Sequence, residues 1–310
     1  MKYHFCTIAS PDFLPFVQTL YYSLNKQSSD TVLHVLLTAN DKPDAVDGSL
    51  HYYVPRDLSG ESVKEIVHKY RLNNDHLRWA LKPAFLSYLL AEHDKVIYLD
   101  NDIYFYKPFD FLFEQLNQCS LLLTPHYFPF YPYPNEELFK SNYQIGLFNA
   151  GFIGASKKAN SILKWWSEVC LHNIENNFCE GFFVDQRYLD LSIIIDDGVK
   201  ILKHPGCNVG SWNMHQSKRS DVNGEILIED RFPIVFIHFN NETIKHILIG
   251  NDRLLTAYYK EYENAFCISG HKLNEFKNYT PKLHPVAQIK NRMRLRTRIK
   301  GMLFRLYQKL

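Results

Sequence analysis

The chain has 310 residues, 46% hydrophobic and 22% charged, with a formal net charge of +2. That supports a sizeable core, as one large α/β domain with an appendage or as two small domains. Six cysteines without paired short spacing argue against a structural zinc site or a disulfide framework, and no run approaches the roughly 18 apolar residues of a membrane-spanning helix. Reduced thiols in a cytosol are the expected setting. Met1 to Cys6 is expected to lead directly into a strand rather than to form a signal peptide.

Tyr3 to Ala9 alternates as a strand and ends at Ser10-Pro11-Asp12. Leu14 to Leu24 has helical apolar spacing, with Pro11 and Asp12 as start signals. Thr31 to Thr38 and His51 to Val54 follow as strands, the opening of a parallel, Rossmann-like sheet. The end of the first strand in such a sheet is a natural site for a nucleotide base. Glu61 to Tyr70 reads as a helix, and so does His76 to Glu92, with Pro83 marking its first true turn. Arg78 and Lys82 then stand at a helix amino end, where anions bind. A bound phosphate and ordinary solvated charges both account for them.

Lys95 to Lys107 contains the buried strand Val96 to Leu99, with Asp100 and Asp102 at its carboxyl end. Ligands of open α/β sheets bind at that edge. Two acids one residue apart repel unless a cation lies between them. A divalent metal carrying a phosphate-bearing substrate meets that need. The helix Phe109 to Leu116 and the strand Leu121 to Thr124 follow.

The segment His126-Tyr-Phe-Pro-Phe-Tyr-Pro-Tyr-Pro134 has three prolines and five aromatic residues in nine positions. It reads as a lid or an acceptor-sugar platform, against the alternative of a loop tucked onto the core. Phe148-Asn-Ala-Gly-Phe-Ile-Gly154 opens an apolar strand with small residues that admit a ligand close to the backbone. Ser156 to Leu171 is a helix with Trp165 and Trp166 in the core. Asp185 and Gln186 open a further helix. Ile193 to Ile195 and Val199 to Leu202 are apolar runs, His204 to Asn213 is a loop, and Pro233 to Phe239 is a last strand carrying His238. Leu254 to Phe266 is helical.

Nine Lys or Arg and no Asp or Glu lie from residue 282 onward, and without those nine the net charge of +2 becomes −7. The last 22 residues form an expected basic amphipathic helix. It suits an anionic membrane surface better than nucleic acid, which has no use for its apolar stripe. The expected organisation is a domain over residues 1–268, a linker over 269–285 and a membrane-associating helix over 286–310. The expected location is cytoplasmic, peripheral at the inner face of the cytoplasmic membrane.

Over about residues 3 to 245 this order of motifs resembles the GT-A-fold glycosyltransferases. It is most similar to the family 8 type that includes glycogenin and bacterial lipooligosaccharide galactosyltransferases. The motifs are Tyr-Leu-Asp-x-Asp, then Asn149-Ala-Gly-Phe about 47 residues on, then Asp185-Gln186, Trp212-Asn213 and His238. The resemblance implies a fold: α/β, a Rossmann-like mixed, mostly parallel sheet flanked by helices, here with the basic tail. It also implies metal-dependent transfer of a hexose from a nucleotide-diphosphate sugar, a UDP-sugar favoured, to a glycan or glycolipid acceptor, with retention. The acceptor class it implies is a bacterial lipooligosaccharide, lipopolysaccharide or other cell-surface glycan.

By the same resemblance Asp100, Asp102 and His238 would hold Mn²⁺ or Mg²⁺, and Lys82 would approach the phosphates. Ala9, Ser10, Asp12, Lys82, Asp100 and Asn101 would contact the nucleotide. Asn149, Ala150, Gly151 and Asp185 would face the donor sugar, and Asp185 and Gln186 would be catalytic.

The chain departs from the family pattern after His238. His-Phe-Asn-Asn-Glu-Thr-Ile-Lys245 replaces the usual His-x-x-Gly-x-x-Lys-Pro-Trp, with Lys245 one place late. Asp-Gln also continues into Arg187-Tyr-Leu-Asp190. These differences mark a divergent branch. The competing readings are a nucleotidyltransferase or metal-dependent phosphohydrolase, and a non-catalytic glycan-binding or membrane-scaffold protein.

Overall fold

The computed structural model describes residues 2–43, 48–133 and 135–275. The expected tail over 286–310, and the linker beyond residue 275, lie outside the described residues. Strand β1 (Tyr3–Ala9), helix α1 (Leu14–Gln27), β2 (Thr31–Leu37) and β3 (Leu50–Tyr53) make the first half of the main sheet. Their register is parallel throughout, from Tyr3 opposite Thr31 to Leu36 opposite Tyr53.

Helices α2 (Glu61–Tyr70), α3 (Asn74–Ala80) and α4 (Lys82–Leu90) follow. The single helix expected over His76 to Glu92 is thus two. Pro83 sits in the first turn of α4, where its missing N–H costs nothing. Asn73 caps α3 by accepting from the amides of Asp75 and His76.

Next come β4 (Lys95–Leu99), β5 (Ile103–Phe105), α5 (Asp110–Gln115), β6 (Leu121–Pro125), α6 (Glu136–Gln144) and β7 (Phe148–Ser156). Helix α7 (Asn160–His172) starts four residues later than expected, because Lys157–Ala159 forms a 3₁₀ turn. The rest comprises β8 (Asn176–Asn177), β9 (Phe182–Phe183), α8 (Leu189–Ile195), β10 (Lys200–Ile201), β11 (Arg219–Val222), β12 (Glu225–Ile228), β13 (Phe232–Pro233), β14 (Phe236–His238), α9 (Asn241–Leu248) and α10 (Thr256–Ile268).

The seven-stranded main sheet has the order β10-β6-β7-β4-β1-β2-β3. Its pairings are parallel except those of β7, which runs antiparallel to both β4 and β6. This is the mixed, mostly parallel sheet expected. Both faces are covered, so β2 and β7 are buried along their whole length.

Alternation divides each strand between two cores. In β4, Val96 and Tyr98 face the core built with α2, α4 and α7. Ile97 and Leu99 face the core built with α1 and α5. Trp166 is buried in the first core, while Trp165 only packs against it.

The strand expected over Pro233 to Phe239 divides into β13 and β14. β13 joins a small antiparallel sheet with β11 and β12, and β14 pairs antiparallel with β5. The backbone between them bonds elsewhere, with the Tyr106 amide donating to Val235 and the Val235 amide to Gly206. Sequence patterning did not reveal β5, α9 or the β11–β13 sheet. All are short, and packing rather than local pattern fixes them. Past α10, Leu273 is buried against the domain. Among the described residues no helix is long and apolar enough to cross a membrane.

Candidate active site

The carboxyl edge of β4 carries the site. Beyond Leu99 the chain turns through Asp100-Asn101-Asp102 into β5. The turn is fixed from two sides, as the Asp100 amide donates to the Gly151 carbonyl and the Phe239 amide to that of Asp102. Pairing of β14 with β5 places His238 opposite Ile103, beside both acids. Nε2 of His238 lies 2.9 Å from Asp102 Oδ1 and 3.9 Å from Asp100 Oδ2.

The two oxygens of Asp100 are divided. Oδ1 accepts from the Tyr98 hydroxyl at 2.8 Å and faces the Lys82 ammonium at 3.5 Å, leaving Oδ2 toward the histidine. Two carboxylates and one imidazole are the hard-to-borderline donor set that Mn²⁺ or Mg²⁺ accepts. The residues present therefore fit the ion the sequence implied.

Of the two readings of Lys82, burial removes that of a solvated cation. It is buried at the first turn of α4 and bridges Asp100 and Asp185, the latter at 3.1 Å, while donating to the Ala150 carbonyl at 3.1 Å. Its ammonium also lies 4.9 Å from the centre of the Tyr98 ring. Burial opposes its charge, but Asp100 and Asp185 outweigh that, so its pKa is raised. Burial pushes the Asp185 carboxyl upward even against the pull of Lys82.

Gln186, one residue on, spans two backbone segments. Its Oε1 accepts from the Ala150 amide at 3.0 Å and its Nε2 donates to the Ile145 carbonyl. Asp185 is held from behind, its carbonyl accepting from the indole of Trp166.

Hydrogen bonds fix the face of β7. Nδ1 of buried His126 bonds the Gly146 carbonyl, so it carries the proton and its Nε2 is the acceptor. Asn149 Nδ2 donates to that Nε2 at 3.2 Å. Its Oδ1 accepts from the Gly151 amide and from Asn208 Nδ2. Burial lowers the His126 pKa to about 3, so the ring is neutral.

Gly151 has no room for a side chain. A Cβ there would lie 2.5 Å from His238 Cε1 and 2.7 Å from Asn149 Oδ1. Gly151→Ala is therefore expected to displace His238 from Asp102 and to cost about 1–3 kcal/mol of stability, as overpacking does. Mn²⁺ affinity should fall with it, readable by calorimetry; unchanged affinity would show that His238 does not need this close approach.

Of the residues expected to contact a nucleotide, Ala9, Ser10 and Asn101 are buried at the carboxyl edge, whereas Asp12 is exposed on the 3₁₀ turn before α1. Lys245 pairs with Glu242 on α9 at 3.4 Å. Asp190 pairs with Arg187 and accepts from the Leu147 amide.

Several further residues belong to the site. Trp212 stands edge-on to the His238 ring, with centroids 5.3 Å apart. Asn208, at φ +59°, reaches Thr124 and Asn149. Asn213 is tied to Arg219, whose guanidinium pairs with buried Asp252 at 3.2 Å. Trp212-Asn213 was legible as a motif, but Arg219 and Asp252 carry no local signal. Among the described residues, Trp212 Nε1, His238 Nδ1 and Asn208 Oδ1 are buried without a hydrogen-bond partner, polar atoms of the kind a ligand satisfies.

The aromatic loop is packed onto the core at its start and exposed beyond it. His126 and Phe128 are buried and stack at 4.7 Å, while Phe130, Tyr131 and Tyr133 are exposed.

This topology is similar to that of the galactosyltransferase LgtC, whose structure was solved with donor and acceptor sugar analogs. The match has a TM-score of 0.57 at 16% identity and covers 89% of this chain and all of that one. The chain has the GT-A fold. An active-site mutant of LgtC matches with a TM-score of 0.51 at 17% identity, over 76% of this chain and 86% of that one.

Among curated sequences the GT-A chain is similar to two uncharacterised proteins of Bacillus subtilis (strain 168). YfnF is 29% identical over 250 residues, 78% of this chain and 82% of its own length. YfnD is 27% identical over 259 residues, 78% of each chain. No family model matches the sequence.

Proposed function

We propose that this GT-A chain is a metal-dependent glycosyltransferase that moves a hexose from a nucleotide-diphosphate sugar, a UDP-sugar first, to a glycan or glycolipid acceptor. The observation that carries it is the convergence at one sheet edge of Asp100, Asp102 and His238 with the buried Lys82–Asp185 pair, beside a strand whose Gly151 lets His238 approach closely and whose Asn149 is held by His126 and Asn208. Structural neighbours that are glycosyltransferases support the same reading.

Asp100, Asp102 and His238 would hold Mn²⁺ or Mg²⁺, which when bound neutralises charge on the diphosphate leaving group. Lys82 adds a second fixed positive charge behind Asp100, and a preorganised charge costs no reorganisation as the bond breaks. Ala9, Ser10 and Asn101 line the nucleotide end, with Asp12 at its exposed rim. Asn149 presents a side chain oriented by His126 and Asn208. Gln186 sets the position of the strand that meets the sugar, and its oxygen keeps a second lone pair for a developing positive charge.

Retention is the proposed outcome. An inverting enzyme needs a carboxylate base in line with the acceptor hydroxyl. Asp185 is buried and paired with Lys82, and Asp190 is committed to Arg187 and the Leu147 amide. Attack on the same face, with the leaving phosphate taking the acceptor proton, needs neither. Phe130, Tyr131 and Tyr133 offer ring faces to an acceptor sugar.

Hydrolysis of a panel of nucleotide sugars with Mn²⁺ tests the assignment. Turnover of at least one UDP-sugar, lost with EDTA, is the expected result, and product anomer analysis reads the stereochemistry. No turnover of any donor would favour a non-catalytic glycan-binding protein of the same fold.

The basic tail is proposed as a reversible anchor to the inner face of the cytoplasmic membrane, each basic residue contributing about 1 kcal/mol at an anionic surface. The full chain should co-sediment with anionic liposomes and the 1–285 chain should not; equal binding would remove the anchor.

A further inference from the structure

Four of the fourteen histidines lie together away from the carboxylate site. His4 on β1, His34 on β2 and His51 on β3 share one face of the sheet. The register places His34 opposite Cys6, two residues from His4, and opposite His51. His93 joins them from the turn between α4 and β4. That turn leads into the amino end of β4, whereas Asp100 follows its carboxyl end. The strand between them puts the two clusters roughly 20 Å apart.

The geometry points to a second cation site, made by His4, His34 and His93, for a borderline divalent ion of the Zn²⁺ class. Ring nitrogens of these three residues all lie within 4.8 Å of one another. His4 Nδ1 and His34 Nε2 are 3.1 Å apart. Two nitrogens bound to one tetrahedral Zn²⁺ at about 2.0–2.1 Å stand about 3.3 Å apart, so this pair already has the spacing of ligands. Imidazole nitrogen suits Zn²⁺, Co²⁺ and Ni²⁺, whereas Mg²⁺ and Mn²⁺ prefer oxygen.

His93 stacks on His4 with ring centres 3.8 Å apart, so its ring turns to point a nitrogen at an ion shared with His4. His34 Nδ1 lies 3.0 Å from the Tyr53 hydroxyl, an outer contact of the kind that orients the ring of a ligating histidine. His34 is buried, but His4 and His93 are only partly so, leaving a path from solvent and a position for water. Burial, with the neighbouring rings, lowers the pKa of His4 to about 4 and of His34 to about 3. Burial lowers that of His93 as well, against the nearby carboxylates of Glu92 and Asp94. The rings are therefore neutral near pH 7, the form that ligates. The hydrogen bond between His4 Nδ1 and His34 Nε2 holds one proton, and on binding an ion that proton moves to the far nitrogen of the ring that carries it.

The untagged full-length chain, stripped with chelator and given excess Mg²⁺ to fill the carboxylate site, should be titrated with Co²⁺. One ion per chain is expected, with the visible band of tetrahedral Co²⁺, bleached by Zn²⁺. His4→Gln and His93→Gln should abolish the band while circular dichroism is unchanged. Tyr53→Phe should weaken binding about tenfold, and Asp102→Asn should leave the band intact. If His4→Gln fails to fold, His93→Gln, on a partly exposed turn, still decides the matter. No band in the wild-type chain, a band that survives His93→Gln, or one lost with Asp102→Asn would each overturn the site.

Discussion

Asp102→Ala is expected to lower transfer about 10³-fold or more, close to 4 kcal/mol in the barrier, while leaving the chain folded. The side chain is 16% exposed, and His238 lies within hydrogen-bond reach of it. What fixes the turn is backbone: the Asp102 carbonyl accepts from the Phe239 amide and Asp100 is tied to Gly151, and both bonds survive the substitution. The thermal midpoint should therefore move little. The loss should appear in kcat with Mn²⁺ saturating, and excess metal should not restore it, because one of the two carboxylates near His238 is gone. Full activity of Asp102→Ala in excess EDTA would end the metal-site reading.

Lys82→Met is expected to cost about 3–5 kcal/mol of folding stability at neutral pH, the typical penalty for removing one partner of a buried ion pair. Both charged groups are almost wholly buried, so solvent does little to soften the loss. The penalty should depend on pH in a definite direction. Burial already raises the Asp185 pKa with Lys82 present, and without the ammonium only the backbone hydrogen bond of Asp185 opposes the rise. Between the ordinary carboxylate pKa of about 4 and the raised value, the folded chain holds a proton that the unfolded chain has lost. Stability therefore falls as pH rises through that window and returns as pH falls. Lys82 itself, with its pKa raised, contributes fully below about 10.4 and gives no slope there. Urea melts of Lys82→Met at pH 5 and pH 8 should show the variant closer to wild type at pH 5. A penalty that is flat across that range would mean that Asp185 is not left carrying a buried charge. The double variant Lys82→Met with Asp185→Asn should be less destabilised than the sum of the two single variants.

Parts of the site are legible because their signal is local. Asp100 and Asp102 follow a short run of β-branched and aromatic residues that can only be a buried strand, and ligand chemistry gathers at such strand ends. Asn149-Ala150-Gly151 announces itself by two small residues inside an apolar strand. Lys82 was visible as a cation at a helix start, yet its burial was not, since nothing within ten residues supplies the countercharge. Asp100 and Asp185, eighteen and 103 positions away, do so.

The sequence by itself determined the strand and helix succession through β4, apart from the break between α3 and α4, and the place of Asp100 and Asp102 at the carboxyl end of a buried strand. Periodicity and strand-end chemistry act over a few residues, and the sequence displays them directly. Only the tertiary structure decided that Lys82 is an internal counterion, that Arg219 and Asp252 hold the Asn213 loop, and that β14 brings His238 to Asp102. It also decided that four histidines from three strands and a turn meet on one face. Each of these depends on long-range pairing of elements whose local patterns are silent, because register and burial are properties of the assembled sheet.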